Sequence, residues 1–362
     1  MADTGVRTSV KLFGGIFILL AVVGVVLMAR HPSSREPSRS PAVWYAAAGG
    51  GWAQIPVDCD DDQHLVGIAA ASDRLIAVGW GDGGGTAWAS DDGQVWRRTW
   101  TDSTIEPHDV AAGGPGWVVV GGSWDGAILI SVDGVSWRRV LAAQATALWT
   151  VETLDSTLVA GGGSWADGND VAAAVWVSTD GEQWSSTTLP GGEGSQVIAL
   201  TRVGPGLLAA ADSGTLWYSD DGRQWDSWQT SGLDPMSVQD VAGAGWLLAV
   251  GWNWDGTPGM WRSDDGHSWQ AVAAPDDLSP FGAAPRSGDV LALGQLAECS
   301  AAVLAVSEQG AVDGPQVDDS LWSSDECRDG IPIDEGECDA GAARVYDVVS
   351  LDSGDLVAVG YR

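Results

Sequence analysis

Ser219-Asp220-Asp221-Gly222-Arg223-Gln224-Trp225 is one of five near-identical stretches in this chain. The others are Ser90–Trp96, Ser131–Trp137, Ser178–Trp184 and Ser263–Trp269, and each reads Ser-x-Asp-Gly-x-x-Trp. The closing tryptophans, Trp96, Trp137, Trp184, Trp225 and Trp269, are spaced by 41, 47, 41 and 44 residues. One turn motif per period in the low forties is the mark of a propeller or solenoid built from one repeated unit.

The residue types suit a tight turn between two strands. The carboxylates of Asp92, Asp133, Asp180, Asp221 and Asp265 can accept backbone N–H groups as an Asx-turn does. Gly93, Gly134, Gly181, Gly222 and Gly266 supply a positive φ without a Cβ clash. The tryptophan buries a large flat surface and needs an acceptor for its indole N–H. The motif resembles the Asp-box, or BNR, repeat of sialidase-like β-propellers, in a form one residue shorter than the family's. The resemblance implies a propeller in which Ser90, Ser131, Ser178, Ser219 and Ser263 and their box partners are structural and lie opposite the functional face.

Apolar period-2 runs recur with the boxes: Leu75–Gly79, Trp117–Gly121, Leu158–Gly162, Leu207–Ala211, Leu247–Gly251, Leu291–Gly294 and Leu356–Gly360. Such runs, with no helical periodicity between them, predict an all-β chain. Each unit reads as four strands with the box as the third turn. Six units fit between about residues 60 and 340. The C-terminal Arg344–Arg362 then supplies two strands, and the N-terminal Ala42–Val57 two more. Trp44 and Trp52 keep the tryptophan positions of a box whose Ser and Asp have become Ala46 and Ala48. The expectation is a seven-bladed β-propeller over 42–362, closed by a blade split between the chain's ends, which removes exposed sheet edges. The sixth unit departs: an insertion is expected at Glu298–Asp318, followed by a degenerate box at Trp322–Cys327.

The chain has 362 residues and a formal charge of −32. Lys11 is its one lysine. Such a field repels nucleic acid and anionic lipid, so a nucleic-acid role is excluded. It suits a solvated extracellular face or a cation-binding one. No cofactor is expected, and the acidity leaves calcium open. Ahead of the propeller, 1–11 is a short N-terminal segment, 12–29 a transmembrane signal anchor and 30–41 a Pro/Ser-rich tether. Leu12–Met28 carries no charge and, as a helix, rises about 25 Å. A cleaved signal peptide is the rival reading, but Val26-Leu27-Met28-Ala29 makes a poor cleavage site. The expected location is the cell membrane, single-pass, with a monomeric propeller on the extracytoplasmic side. Four cysteines suit that compartment. Their three connectivities are not separable by spacing; Cys327 with Cys338 and Cys59 with Cys299 is the working assignment. The four histidines are scattered and no CxxC pair exists, so no metal centre is expected.

Strand alternation puts the second loops of the units on the face opposite the boxes. Four of these loops pair Trp with Asp: Trp80 and Asp82, Trp124 and Asp125, Trp165 and Asp167, and Trp252 and Trp254 with Asp255. Aromatic plates beside carboxylates suit a sugar ring or a cation. The same residues would also serve as hairpin tips and blade-end covers. The sialidase resemblance would imply three arginines, a Tyr–Glu pair and an Asp acid. The family's Arg-Ile-Pro motif is absent, and only Arg344 and Arg362 are placed to reach the functional face. No catalytic residue is assigned. The sequence therefore points to a binding or scaffold module for a cell-surface glycan or protein. A glycoside hydrolase using loop carboxylates is the alternative. An assembly factor for a membrane complex, by analogy with related propellers, is the third reading.

Overall fold

The computed structural model describes residues 40–57, 63–71, 74–165, 170–275, 278–286, 288–295, 301–310, 312–313 and 344–361. The segments 1–11 and 12–29, nearly all of the expected tether, Asp167, Trp322–Cys327, Arg362 and all four cysteines lie outside these residues. Among the described residues there is no helix, and none long and apolar enough to cross a membrane.

The described strands are β1 (Pro41–Ala46), β2 (Trp52–Ile55), β3 (Gln63–Ala71), β4 (Arg74–Gly81), β5 (Gly84–Ser90), β6 (Arg97–Asp102), β7 (Pro107–Gly113), β8 (Gly116–Gly121), β9 (Asp125–Ser131), β10 (Arg138–Gln144), β11 (Thr146–Leu154), β12 (Thr157–Ser164), β13 (Ala172–Ser178), β14 (Ser185–Glu193), β15 (Val197–Val203), β16 (Gly206–Ala211), β17 (Leu216–Ser219), β18 (Asp226–Trp228), β19 (Ser237–Gly243), β20 (Leu247–Trp252), β21 (Pro258–Ser263), β22 (Trp269–Val272), β23 (Ser279–Arg286), β24 (Asp289–Gln295), β25 (Ala301–Val306), β26 (Val312–Asp313), β27 (Arg344–Ser350) and β28 (Leu356–Tyr361). From β3 to β26 they run in antiparallel meanders of four consecutive strands. Two meanders, β7–β10 and β11–β14, touch through one parallel bridge, Thr146 with Asp125. The remaining sheet has the order β2-β1-β28-β27, so both ends of the chain build it, as expected. Pro41, read as the end of the tether, already pairs with Tyr361 in β1.

Buried apolar side chains fill the gap between each sheet and the next. Ile76, Val78, Val110 and Val119 pack between β3–β6 and β7–β10. Leu293, Val303, Ala42 and Trp44 pack between β23–β26 and the sheet of both ends. Val43, Val357, Leu65 and Trp88 join that sheet to β3–β6. The core thus runs from sheet to sheet and returns to its start. This is a β-propeller, and the first strand of each meander faces the centre.

Every first strand carries a bulge near its start. The register slips at Leu65/Gly67, Pro107/Asp109, Leu148/Thr150, Val197/Ala199, Val238/Asp240, Pro280/Gly282 and Val345/Asp347. A bulge leaves one residue unpaired and turns it out of the ladder. Here those residues are Val66, His108, Trp149, Ile198, Gln239, Phe281 and Tyr346. The bulge also accounts for the glycines that end the second strands. A Cβ on Gly79, Gly121, Gly162, Gly251, Gly294 or Gly360 would lie 1.7–2.4 Å from a carbonyl oxygen in the first strand or, for Gly121, just before it.

The five repeated turns are alike. Asp221 Oδ1 accepts the N–H groups of Arg223 and Gln224 at 2.8 and 2.9 Å. Ser219, almost wholly buried, holds the same oxygen through its hydroxyl at 3.2 Å. Gly222 has φ +72°, and its carbonyl accepts the Trp225 indole N–H at 3.1 Å. The turn therefore satisfies its own donors. In the sixth unit, the stretch expected to be an insertion contains β25 and β26. The turn between them is Ser307-Glu308-Gln309-Gly310, with Gly310 at φ +76° and its N–H on the Ser307 carbonyl at 2.8 Å. Gln309 stands where the other units have Asp, and no tryptophan follows, which hid the turn from the motif.

Candidate functional site

The loops that pair Trp with Asp do not act alike. Trp124 is 59% exposed and lies 5.2 Å from Trp165, centroid to centroid, at 45°. Backbone bonds from Thr146 N–H to the Trp124 carbonyl (3.0 Å) and from Trp165 N–H to the Ala145 carbonyl (2.9 Å) lock the two loops side by side. Asp125 is exposed at the start of β9. Trp80 is half-buried and packs edge-on against His64 at 4.4 Å, and Asp82 is exposed in its turn. Trp252 is half-buried in β20 and pairs with Pro258. Trp254 is 70% exposed, with its indole N–H on Asp234 at 3.4 Å. Asp255 turns back on its own loop and accepts the N–H and hydroxyl of Thr257 at 3.0 and 2.6 Å. These bonds hold its carboxyl below the ordinary range. The structure thus joins Trp124 to Trp165, while Trp80 and Trp252 cover strand ends.

The centre holds residues that the motif search passed over. The first strands enclose a cavity of about 570 Å³. Asp109, Asp240 and Asp347 line it, each directly after a bulge. One oxygen of each accepts the N–H of the next residue, Val110, Val241 or Val348, at 2.7 Å. The other accepts an N–H from the neighbouring sheet's first strand, that of Val151, Ala283 or Ile68, at 2.8 Å. Each carboxylate is therefore a clip between two sheets. Although each keeps some surface toward the cavity, the surrounding strands strip it of water. Burial pushes Asp109 up to about 7 and Asp240 to about 6, overcoming the N–H bonds that favour the charged form. Asp347 is raised well above its ordinary value by burial and then by the charges of Asp109 and Asp240. Glu152, nearby, is also raised by burial, with Arg202 opposing. The sequence signal for this ring is an Asp-Val pair at one place in three units: Asp109-Val110, Asp240-Val241 and Asp347-Val348.

The bulge residues add an aromatic collar at the end of the first strands nearer the Trp-bearing loops. His108 stacks on Trp149 at 4.4 Å and 15°. Burial lowers the His108 imidazole's basicity, and its Nδ1 lies 2.7 Å from the Leu148 carbonyl. Tyr346 lies 5.9 Å from both Phe281 and Tyr361 and 6.1 Å from His64. The guanidinium of Arg344 sits over Phe281 at 4.7 Å and over Tyr361 at 5.7 Å. This patch draws on β3, β23, β27 and β28, so it spans the seam where the chain's ends meet. Rings with one polar edge and a guanidinium suit an extended segment that offers both apolar and acceptor groups. Among the described residues, no group of three or more His, Cys, Asp or Glu side chains is placed to hold a metal ion.

No protein-family model matches the chain, and no curated protein matches it. Solved structures do resemble it. The structure of YCF48 bound to D1 peptide superposes with a TM-score of 0.55 at 14% identity, covering 84% of this chain and 98% of that one. The WD40 β-propeller domain of Doa1 gives 0.54 at 12% identity, covering 88% and 97%. A puromycin-hydrolyzing peptidase of Mycobacterium tuberculosis gives 0.52 at 14% identity, covering 77% of this chain and 52% of that one. At such identities these likenesses show the propeller fold.

Proposed function

We propose that this chain is a seven-bladed, Asp-box propeller of the sialidase-like kind, held to the cell membrane by 12–29, that binds a protein segment on its extracytoplasmic side. Each four-strand meander is one blade, and the sheet of both chain ends is the seventh. The observation that carries the reading is the aromatic collar around Tyr346, gathered from four strands beside the central cavity. A propeller of this shape, YCF48, is known with a peptide bound, which supports a peptide-sized partner here. The carboxylates of the cavity are engaged by backbone N–H groups, which suits a structural part for them. The pair of exposed Trp124 and half-buried Trp165 favours a second reading, a sugar ring stacked beside Asp125.

A photo-crosslinking residue placed at Phe281 in the full chain, in its native membrane, tests the first reading. The expected product is one partner protein, competed by unlabelled chain and absent when the probe stands at Val132 in a repeated turn. Equal products from both positions would sink the collar as the binding site. A glycan array probed with wild type and with Trp124→Ala/Trp165→Ala decides the second reading: selective binding that the double variant abolishes supports it, and binding that the variant leaves unchanged overturns it.

A further inference from the structure

Most arginines with a described ionic partner sit at the turn-bearing end or on outer strands. Arg74 pairs with Asp91, Arg139 with Asp102, Arg202 with Glu152 and Arg286 with Asp289. Arg344 is built differently. It opens β27 at the seam, half-buried, with its guanidinium between the rings of Phe281 and Tyr361. Among the described residues its one hydrogen bond runs from Nε to Gln295 Oε1 at 3.1 Å. No carboxylate of the described residues closes on it.

That single bond fixes the neighbouring amide. A guanidinium only donates, so Gln295 must turn its oxygen toward Arg344 and its NH2 group away. Gln295 is 6% exposed, and its Nε2 is buried without an acceptor. A buried donor left empty is a rarity that calls for an explanation. Among the described residues nothing receives the outer nitrogens of Arg344 or the buried amide of Gln295. The aromatic walls keep water from screening the guanidinium, which strengthens any charge-assisted bond made there. The planar fork of the guanidinium matches the two oxygens of a carboxylate. One cation within a chain of net charge −32 is a poor host for a doubly charged phosphate.

We infer that Arg344 and Gln295 form a carboxylate-binding site at the edge of the collar, which takes an acidic side chain or a chain terminus of the bound segment. The inference rests on the protein-binding reading above and names the chemistry that reading lacks. Phe281 and Tyr361 hold the guanidinium in place, and Gln295 is a positioning residue that fixes it through Nε.

The test is a titration of the full chain, labelled with 15N-arginine, in which the Nε–H signal of Arg344 is identified by its loss in Arg344→Lys. The probes are acetate, inorganic phosphate and three short peptides: one neutral with a free C-terminal carboxylate, its carboxamide, and a carboxamide carrying one Glu. Acetate and the two carboxylate peptides should shift the signal saturably, and the neutral carboxamide should not. The stronger of the two peptides identifies terminus or side chain as the source. Gln295→Leu, which keeps the volume and removes the amide, should weaken carboxylate binding about tenfold. Should Arg344→Lys fail to fold, the signal is identified as the one that Gln295→Leu displaces, because that variant removes the acceptor of the Arg344 Nε–H. A signal unmoved by carboxylates, moved equally by the neutral carboxamide, or moved more tightly by phosphate than by acetate overturns the site. Crosslinking from Phe281 that persists at full strength in Arg344→Gln overturns the site and leaves the scaffold reading standing. Absence of that crosslink in the wild type overturns the scaffold reading, and the acetate titration still decides the site.

Discussion

The turn at Ser219–Trp225 and its counterpart at Ala46–Trp52 have the same backbone and different sources of support. Gly222 and Gly49 sit at φ +72° and +70°, and Trp225 and Trp52 are each 8% exposed. In the first turn, Asp221 holds the N–H groups from within. In the second, Ala48 has replaced that Asp, and Asp355 reaches in from the β27–β28 turn. One oxygen of Asp355 accepts the Ala48 N–H at 2.9 Å and the other the Tyr45 hydroxyl at 2.6 Å. Glycine and tryptophan thus set the shape, with the Gly50 N–H on the Ala47 carbonyl at 2.7 Å, and the acceptor of the third residue's N–H, Ser219 Oγ in the first turn at 3.4 Å, can come from elsewhere. In the sheet of both ends it arrives from the far end of the chain. Closing the ring and forming this turn are one event.

The largest test of the comparison is removal of the shared anchor. Trp225→Ala and Trp52→Ala should each cost about 3–5 kcal/mol in denaturant unfolding, the scale of a large buried ring. Trp52→Ala should in addition expose β1 to limited proteolysis, and Trp225→Ala should not. If both variants are cut at the same internal loop, the seam is no weaker than a repeated turn.

A second contrast sets the turn carboxylates against those of the cavity, and it has opposite signs in pH. Backbone N–H groups hold Asp133 down at about 2, and they lower Asp92 and Asp221 likewise. Their stabilising effect is present above the unfolded value and is lost only as pH falls through the folded one. Asp109 and Asp240 are raised to about 7 and about 6, so their contribution is complete below the unfolded value and is lost as pH rises through 6 to 7. The unfolding free energy should therefore climb from pH 8 to pH 5, by about 1.4 kcal/mol or more per cavity carboxylate, and the thermal midpoint with it. Asp109→Asn with Asp240→Asn should flatten that limb. A limb unchanged in the double variant would assign it to general charge repulsion instead.

Asp221→Ala should cost about 0.5–2 kcal/mol, the scale of a lost cap. Asp355→Ala should lower the denaturation midpoint further, because it frees a hydroxyl as well as an N–H and loosens the seam. The smallest effect sharpens the idea most. Ala46→Ser with Ala48→Asp, which writes the repeated motif into the split turn, should change the wild type little and restore most of what Asp355→Ala loses. No recovery in that cycle would mean that Asp355 does something other than cap the turn.

The fold was legible because its turns are self-contained: Ser, Asp, Gly and Trp carry their own partners, so seven residues predict their own geometry. The seam was legible through Trp44 and Trp52, which kept the spacing after Ser and Asp had gone. The sixth turn was not, since Gln309 and a missing tryptophan leave only a Ser and a Gly. The loop tryptophans were found, but their grouping depends on how neighbouring loops lie, and only Trp124 and Trp165 meet. The cavity and collar were hidden for a deeper reason. A bulge residue such as Tyr346 or Phe281 faces the centre only because the register slips beneath it. That slip shows in sequence as nothing more than a glycine on the next strand.

The strand order β2-β1-β28-β27 also sets an order in time. During synthesis β1 emerges before β3–β26, and its partner β28 only after them. Until Leu356–Tyr361 appears, the growing chain holds an open edge at each end of its stack. The intermediate is thus a row of finished sheets with no closure, and its most exposed strand is the one that later seals it. A stalled or truncated chain would offer that edge to any strand nearby, including the β1 of a second copy.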